Sequence, residues 1–251
     1  MVPRTGVAMN FPRISKELTR DLELDSPPVH LSYLEHAPAG AREHLGGAPS
    51  ACTFWAEARQ GSFFAPLSEH EGCEIGAFVL GIPPEGDVGK RLMGTIGMFE
   101  KIDYVGKGEA SGIPHHAKAP RFVHYGPLAE AVQTPTVAVL FPNPANAMVA
   151  LEAASPGHAH PFDVPVTGRP ACSVIPIVLQ GKAPVAMSLG CAGFRQYTEV
   201  GKDKVLIAVR GGHLEDFAAG VHKLRSANEM VSAEMAHRKA EAASGALPGK
   251  I

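Results

Sequence analysis

One block occurs twice in the chain, and it narrows the folds open to such a sequence. Residues 51–61 read ACTFWAEARQG and residues 171–181 read ACSVIPIVLQG, so Cys52, Gln60 and Gly61 recur as Cys172, Gln180 and Gly181 at a single offset. A second cysteine follows each block, Cys73 in GCEIGAF and Cys191 in GCAGF. The four cysteines of the chain therefore fall into two equivalent pairs. A duplicated half-domain can bring equivalent groups together around a pseudo-twofold axis. Four thiols gathered that way can hold a metal ion or an iron–sulfur cluster.

Fainter echoes lie outside the cysteine blocks. Pro28 to Leu34 shares its pattern with Pro135 to Phe141, and RFVHYGPLAEA from Arg121 resembles KVLIAVRGGHLEDFA from Lys204. The spacings differ between the two copies, which requires insertions, chiefly an excursion at about 84–120. A chance similarity of two strand–turn–helix patterns is the alternative.

Composition sets outer limits. At 251 residues the chain suffices for one large domain or two small ones. A net charge of -2 implies no broad basic surface, so no nucleic-acid partner is expected. No run of about 18 apolar residues occurs, so no membrane span is expected. The N-terminal stretch lacks the continuous apolar core of a signal peptide. Four cysteines are too few for a disulfide scaffold in a chain of this size, and the expectation is a cytoplasmic protein with reduced thiols.

Periodicity predicts the elements. Ile14, Leu18 and Leu22 place a helix over 12–24, stopped by Pro27 and Pro28. Strands are expected over 29–34, 63–67, 121–125, 137–141, 185–189 and 204–209. Helices are expected from Cys52 to Gly61 behind Ser50, over 75–80 ended by Gly81, and over 145–154 with Asn143 as N-cap. The Cys172 helix tolerates Pro176 only in its first turn. The last helix begins near His213, packs through Leu214, Phe217, Val221 and Leu224, and becomes exposed beyond Ser226 around Met230, Val231 and Met235. A disordered tail is expected after Ser244.

Several residue types here carry chemistry. Cys52 and Cys172 are expected at helix N-termini, where amide N–H groups stabilise a thiolate. Cys73 and Cys191 follow glycine directly, with Gly76 and Gly193 close behind to let backbone approach sulfur. There is no CxxC, so tertiary structure alone must assemble four ligands; small cysteines packed beside glycine are the plainer alternative. His70, three residues before Cys73, is the acid/base candidate. Arg195, in LGCAGFR, is the candidate for binding an anion or lowering the Cys191 thiol. The roles of His115 and His116, and of the HxH pair His158 and His160, stay open. Gly211-Gly212 before a helix resembles a phosphate-binding turn, but neither GxGxxG nor a P-loop pattern accompanies it.

The motifs AC-x2-W-x2-A-x2-G-x-FF, EHEGCEIGAFVLGI and LGCAGFR together resemble the ArCR family (domain of unknown function 169). The similarity also takes in PPVHLSYL and VAVLFPNPANAM, and spans about residue 14 to residue 225. The resemblance implies a shared role for Cys52, Cys73, Cys172 and Cys191, without naming a cofactor or reaction. The excursion with His115-His116 and the extended C-terminus depart from the family pattern.

The expected protein is α/β, with two related half-domains and mixed sheets around a pseudo-twofold axis. An N-terminal segment and helix (1–26) precede a first half-domain (27–133), a second half-domain (134–226) and an extended C-terminal helix with a flexible tail (227–251). The expected function is that of an iron–sulfur or other thiolate–metal protein. Redox or lyase/hydratase chemistry on a small anionic substrate would follow, with the four cysteines as ligands, and zinc is the alternative metal. A metal-free cysteine-thiol enzyme and a non-catalytic small-ligand-binding module are the other readings. A homodimer contact through the exposed end of the last helix is also expected.

Overall fold

The first helix shows how local chemistry sets the elements. Asn10 Oδ1 accepts the Arg13 N–H at 3.0 Å, and Pro12 occupies the first turn, where a missing N–H costs nothing. Ile14, Leu18 and Leu22 are then buried along one face of α1 (Phe11–Asp21) and its C-cap. The structure is a computed structural model that describes residues 9–48, 50–102, 112–155, 163–181 and 183–243.

Seven strands form one sheet: β1 (Val29–Leu34), β2 (Phe63–Pro66), β3 (Phe122–Pro127), β4 (Val137–Leu140), β5 (Val166–Thr167), β6 (Val185–Ser188) and β7 (Leu206–Arg210). Their order is β2-β3-β1-β4-β7-β6-β5. Every pairing is antiparallel except β5 with β6, so the sheet is mixed. Leu31 faces Tyr125 across β1 and β3, and Val29 faces Val139 across β1 and β4.

Strand alternation sends successive side chains to opposite faces. Val29, Leu31, Val123, Tyr125, Val139 and Ala208 go to one core. On that side lie α2 (Thr53–Glu57), α3 (Glu74–Leu80), α6 (Val174–Gln180) and α7 (Ala192–Tyr197), which add Trp55, Val79, Val178 and Phe194. Ala138, Leu140, Ile207 and Val209 go to the other core, against α1, α5 (Pro144–Ala154) and α8 (Leu214–Ala243). The sheet is thus covered on both faces, which explains why β4 is buried at every position rather than half-buried.

Several elements differ from the periodic pattern. Helix α2 is one short turn: the Ser50 hydroxyl and carbonyl accept the Cys52 and Thr53 N–H groups ahead of it, and the chain turns after Glu57. The 84–120 excursion contains a 15-residue helix, α4 (Gly86–Glu100), whose four glycines erase the apolar stripe. Helix α7 was not expected at all. Pro176 sits in the first turn of α6, where it is tolerated. Gly211 is set by packing: a Cβ there would lie 1.7 Å from the Pro135 carbonyl oxygen. The helix beyond Gly211-Gly212 opens with Glu215 and Asp216, which repel rather than hold a phosphate. Among the described residues no helix is long and apolar enough to cross a membrane. The tail after Ser244 lies outside the described residues.

Candidate functional site

The four cysteines all belong to the helical layer over one face of the sheet, at two kinds of position. Cys73 is the N-cap of α3, and its Sγ accepts the Gly76 N–H at 3.2 Å. Cys191 is the N-cap of α7, and its Sγ accepts the Phe194 N–H at 3.5 Å. Both are partly exposed. Gly76 is required where it stands, since a Cβ would come within 2.7 Å of Ala51 Cβ and 3.2 Å of Cys73 Sγ.

Cys52 and Cys172 lie deeper, at 5% and 7% exposure. Cys52 precedes α2 with no side-chain capping bond, and Cys172 sits in the 3-10 turn Ala171–Ser173. The expected thiolate-stabilising environment is therefore not at these two cysteines. Burial pushes the Cys52 thiol up to about 12, and burial also raises Cys172 well above its ordinary range. The charges of Cys52, Cys73 and Cys191 add to the rise at Cys172, and those of Cys191 and Cys73 add to the rise at Cys52. Cys172 thus stands within electrostatic reach of the other three thiols, and Cys52 within reach of Cys73 and Cys191. They do not form a closed ligand shell: among the described residues, no three His, Cys, Asp or Glu side chains are placed to hold a metal ion.

A cavity of about 20 Å³ opens beside Cys172, lined also by Tyr33, Ala51, Trp55, Gly76 and Ile175. That is room for one water molecule. Two phenols flank the thiols, and each is paired with a histidine. Tyr125 O–H donates to His70 Nε2 at 2.8 Å, and Tyr33 O–H stands 3.1 Å from His116 Nε2. Burial holds both phenols well above their ordinary range, with Cys172 contributing to each.

His70 is buried at 1% exposure. Its Nδ1 stands 3.1 Å from the Pro66 carbonyl and 3.3 Å from that of Leu67, which requires a proton on Nδ1 and leaves Nε2 to accept from Tyr125. Burial pushes its pKa down to about 4, so the ring is neutral at pH 7. Arg195 donates to the Gly201 carbonyl at 2.6 Å and to the Leu189 carbonyl at 2.9 Å. Its guanidinium also lies 5.2 Å from the Phe194 ring centre. These contacts tie together the loop ends on either side of α7.

Of the open histidines, His116 joins the site through Tyr33, whereas His115 is exposed with Nδ1 on the Ile113 carbonyl at 2.9 Å. His158 and His160 lie outside the described residues. Tyr33 and Tyr125 were missing from the sequence candidates. Their signal was a phenol at a core-facing position of an alternating strand, where a buried O–H must find a partner.

The family model described as uncharacterised ArCR (domain of unknown function 169) matches residues 17–220. No curated protein and no solved structure gives a significant match.

Proposed function

The chain belongs to the ArCR family, and on that premise we propose that it is a thiolate–metal protein with Cys52, Cys73, Cys172 and Cys191 as one ligand set. The observation that carries the proposal is the gathering of the four cysteines in one helical layer, Cys73 and Cys191 as helix N-caps and Cys52 and Cys172 buried, with Cys172 in electrostatic reach of the other three. The donor chemistry suits an iron–sulfur cluster or zinc. The amide N–H groups of Gly76 and Phe194 already point at two of the sulfurs, the kind of hydrogen bond that tunes a thiolate-bound centre. The side chains would have to draw together to close the shell, because no three candidate ligands among the described residues are placed to hold an ion. Such a centre would supply electron transfer, or Lewis-acid activation for water addition or elimination on a small anionic substrate.

The residues around the thiols take the following parts in this reading. Tyr125 and Tyr33 hold protons beside the buried pair, with His70 and His116 behind them. His70 exchanges its proton through Tyr125, since both of its nitrogens are engaged. Arg195 fixes the Cys191 loop and presents positive charge at the edge of the site.

We also propose that residues 27–133 and 134–226 are duplicated halves about a pseudo-twofold axis. From the middle of the sheet outward the strands run β1, β3, β2 on one side and β4, β7, β6 on the other. Cys73 and Cys191 occupy equivalent N-cap positions in the two halves.

Anaerobic titration with Co(II) tests the ligand set. A thiolate-to-metal absorption saturating at one equivalent, and weakened by Ser at each of the four positions, is expected. No thiolate absorption at one equivalent would sink the proposal. A second reading, a metal-free thiol enzyme, would then rest on Cys191 or Cys73. Those two are partly exposed and receive an N–H, whereas Cys52 is held protonated. Inert thiols would leave a small-ligand-binding module.

A further inference from the structure

We propose that α3 and α4 form a strap that closes over the buried pair Cys52 and Cys172 and must lift before either can be reached. Helix α3 supplies one wall of the cavity beside Cys172, through Gly76, Val79 and Leu80. It is seated closely, with Gly76 over Ala51. Helix α4 lies outside α3, burying Leu92 and Ile96 while leaving Met93 and Met98 exposed.

Side-chain links hold α4 down. Arg91 donates to the Glu71 carbonyl at 2.7 Å, and Thr95 Oγ1 donates to Glu74 at 2.6 Å. Another comes from the second half of the chain. The Arg169 guanidinium lies 5.1 Å from the Phe99 ring centre, and Arg169 precedes Pro170, the N-cap of the turn that carries Cys172. The clasp therefore joins α4 to the segment holding one of the thiols it covers.

The strap is weakened along its length. Helix α4 contains Gly86, Gly89, Gly94 and Gly97 among 15 residues. Gly89 has a steric reason, because a Cβ would fall 2.2 Å from the Pro84 carbonyl oxygen. Gly94 and Gly97 have none: a Cβ at either would meet nothing within 4 Å. Both sit in the helix interior, where glycine lowers stability relative to alanine. Low local stability over a covered site is what a segment that opens without global unfolding needs. The partly exposed Cys73 and Cys191 remain reachable while the strap is closed.

The strap's part in loading a metal rests on the thiolate–metal reading, but its closure over two thiols does not. Alkylation of the full-length, metal-free protein with iodoacetamide, followed cysteine by cysteine by peptide mass spectrometry, tests it. In Gly94→Ala/Gly97→Ala, Cys52 and Cys172 are expected to react about tenfold more slowly than in the parent protein, because two helix-interior glycines are replaced. In Arg169→Ala they are expected to react several-fold faster. Cys191 keeps the parent rate in both variants. Unchanged rates at Cys52 and Cys172 in both variants, or rates that move in step with Cys191, overturn the strap. Since no metal is present, that result leaves the ligand set standing, and failed Co(II) binding leaves the strap standing.

Discussion

At the scale of single residues, the polar groups of the core are arranged as pairs, and the pairs make predictions. Tyr125→Phe removes the only donor found for His70 Nε2 among the described residues. Leaving a buried acceptor unpaired costs about 1–3 kcal/mol, which a urea midpoint would register; an unchanged midpoint would mean that water replaces the phenol. The histidines also set an acid limit. Burial pushes His30, His70 and His116 down to about 4 from an ordinary value of 6.5. Each is neutral in the folded chain, whereas the unfolded chain takes up a proton first as pH falls. Their contribution is thus complete above about pH 6.5 and is lost progressively toward pH 4. His30 is the cleanest case, with Nε2 buried and unpartnered among the described residues and His124 5.0 Å away. Replacing it with Gln should flatten the fall in melting temperature between pH 6.5 and 4. An identical acid profile for the variant would assign the sensitivity to other groups.

At the scale of elements, legibility followed the strength of local signals. Asn143-Pro144 fixed the start of α5, and Asn143 Oδ1 does accept the Asn146 N–H at 2.8 Å. Gly81 closed α3 with a left-handed residue, φ 90°. Helix α4 was lost because its glycines break periodicity, and α7 because six residues carry too short a stripe to read. The cysteines were legible as two pairs, but only one of the two expected amide environments is present. Sequence expected amide contacts at helix N-termini for Cys52 and Cys172 and through nearby glycines for Cys73 and Cys191; the N–H···S bonds found are those at Cys73, from Gly76 as expected, and at Cys191, from Phe194. Which cysteine caps depends on the backbone dihedral at the helix start: Cys73 and Cys191 are extended there, and Cys52 is already helical. The β7–α8 corner yields a paired prediction. Gly211→Ala should destabilise by about 1–3 kcal/mol, since its Cβ would overlap the Pro135 carbonyl. Gly212→Ala meets nothing within 4 Å and should leave stability near the parent value. Equal effects in a denaturation series would show that the corner relaxes.

At the scale of the whole molecule, α8 reaches past the body it belongs to. Its buried residues end at Val221, while Met230, Val231 and Met235 stand 75%, 52% and 65% exposed. At concentrations where both are monomeric, a chain ending at residue 226 should therefore melt where the full chain does. The expected homodimer contact predicts that it also loses half its mass in solution; an unchanged mass would place any contact elsewhere. Sequence located six of the seven strands, all but the two-residue β5, but it did not give their order across the sheet. Short apolar runs between turn residues mark strands locally, whereas their order depends on pairings far apart in the chain.

The central claim is that four cysteines act as one ligand set, and anaerobic purification tests it most directly. The absorption spectrum, metal content and labile sulfide would be read on one sample of the protein and one of Cys73→Ala. A stoichiometric metal, brown with labile sulfide if it is iron, and lost in the variant, is the predicted result. A colourless protein without stoichiometric metal and with four titratable thiols would contradict the account.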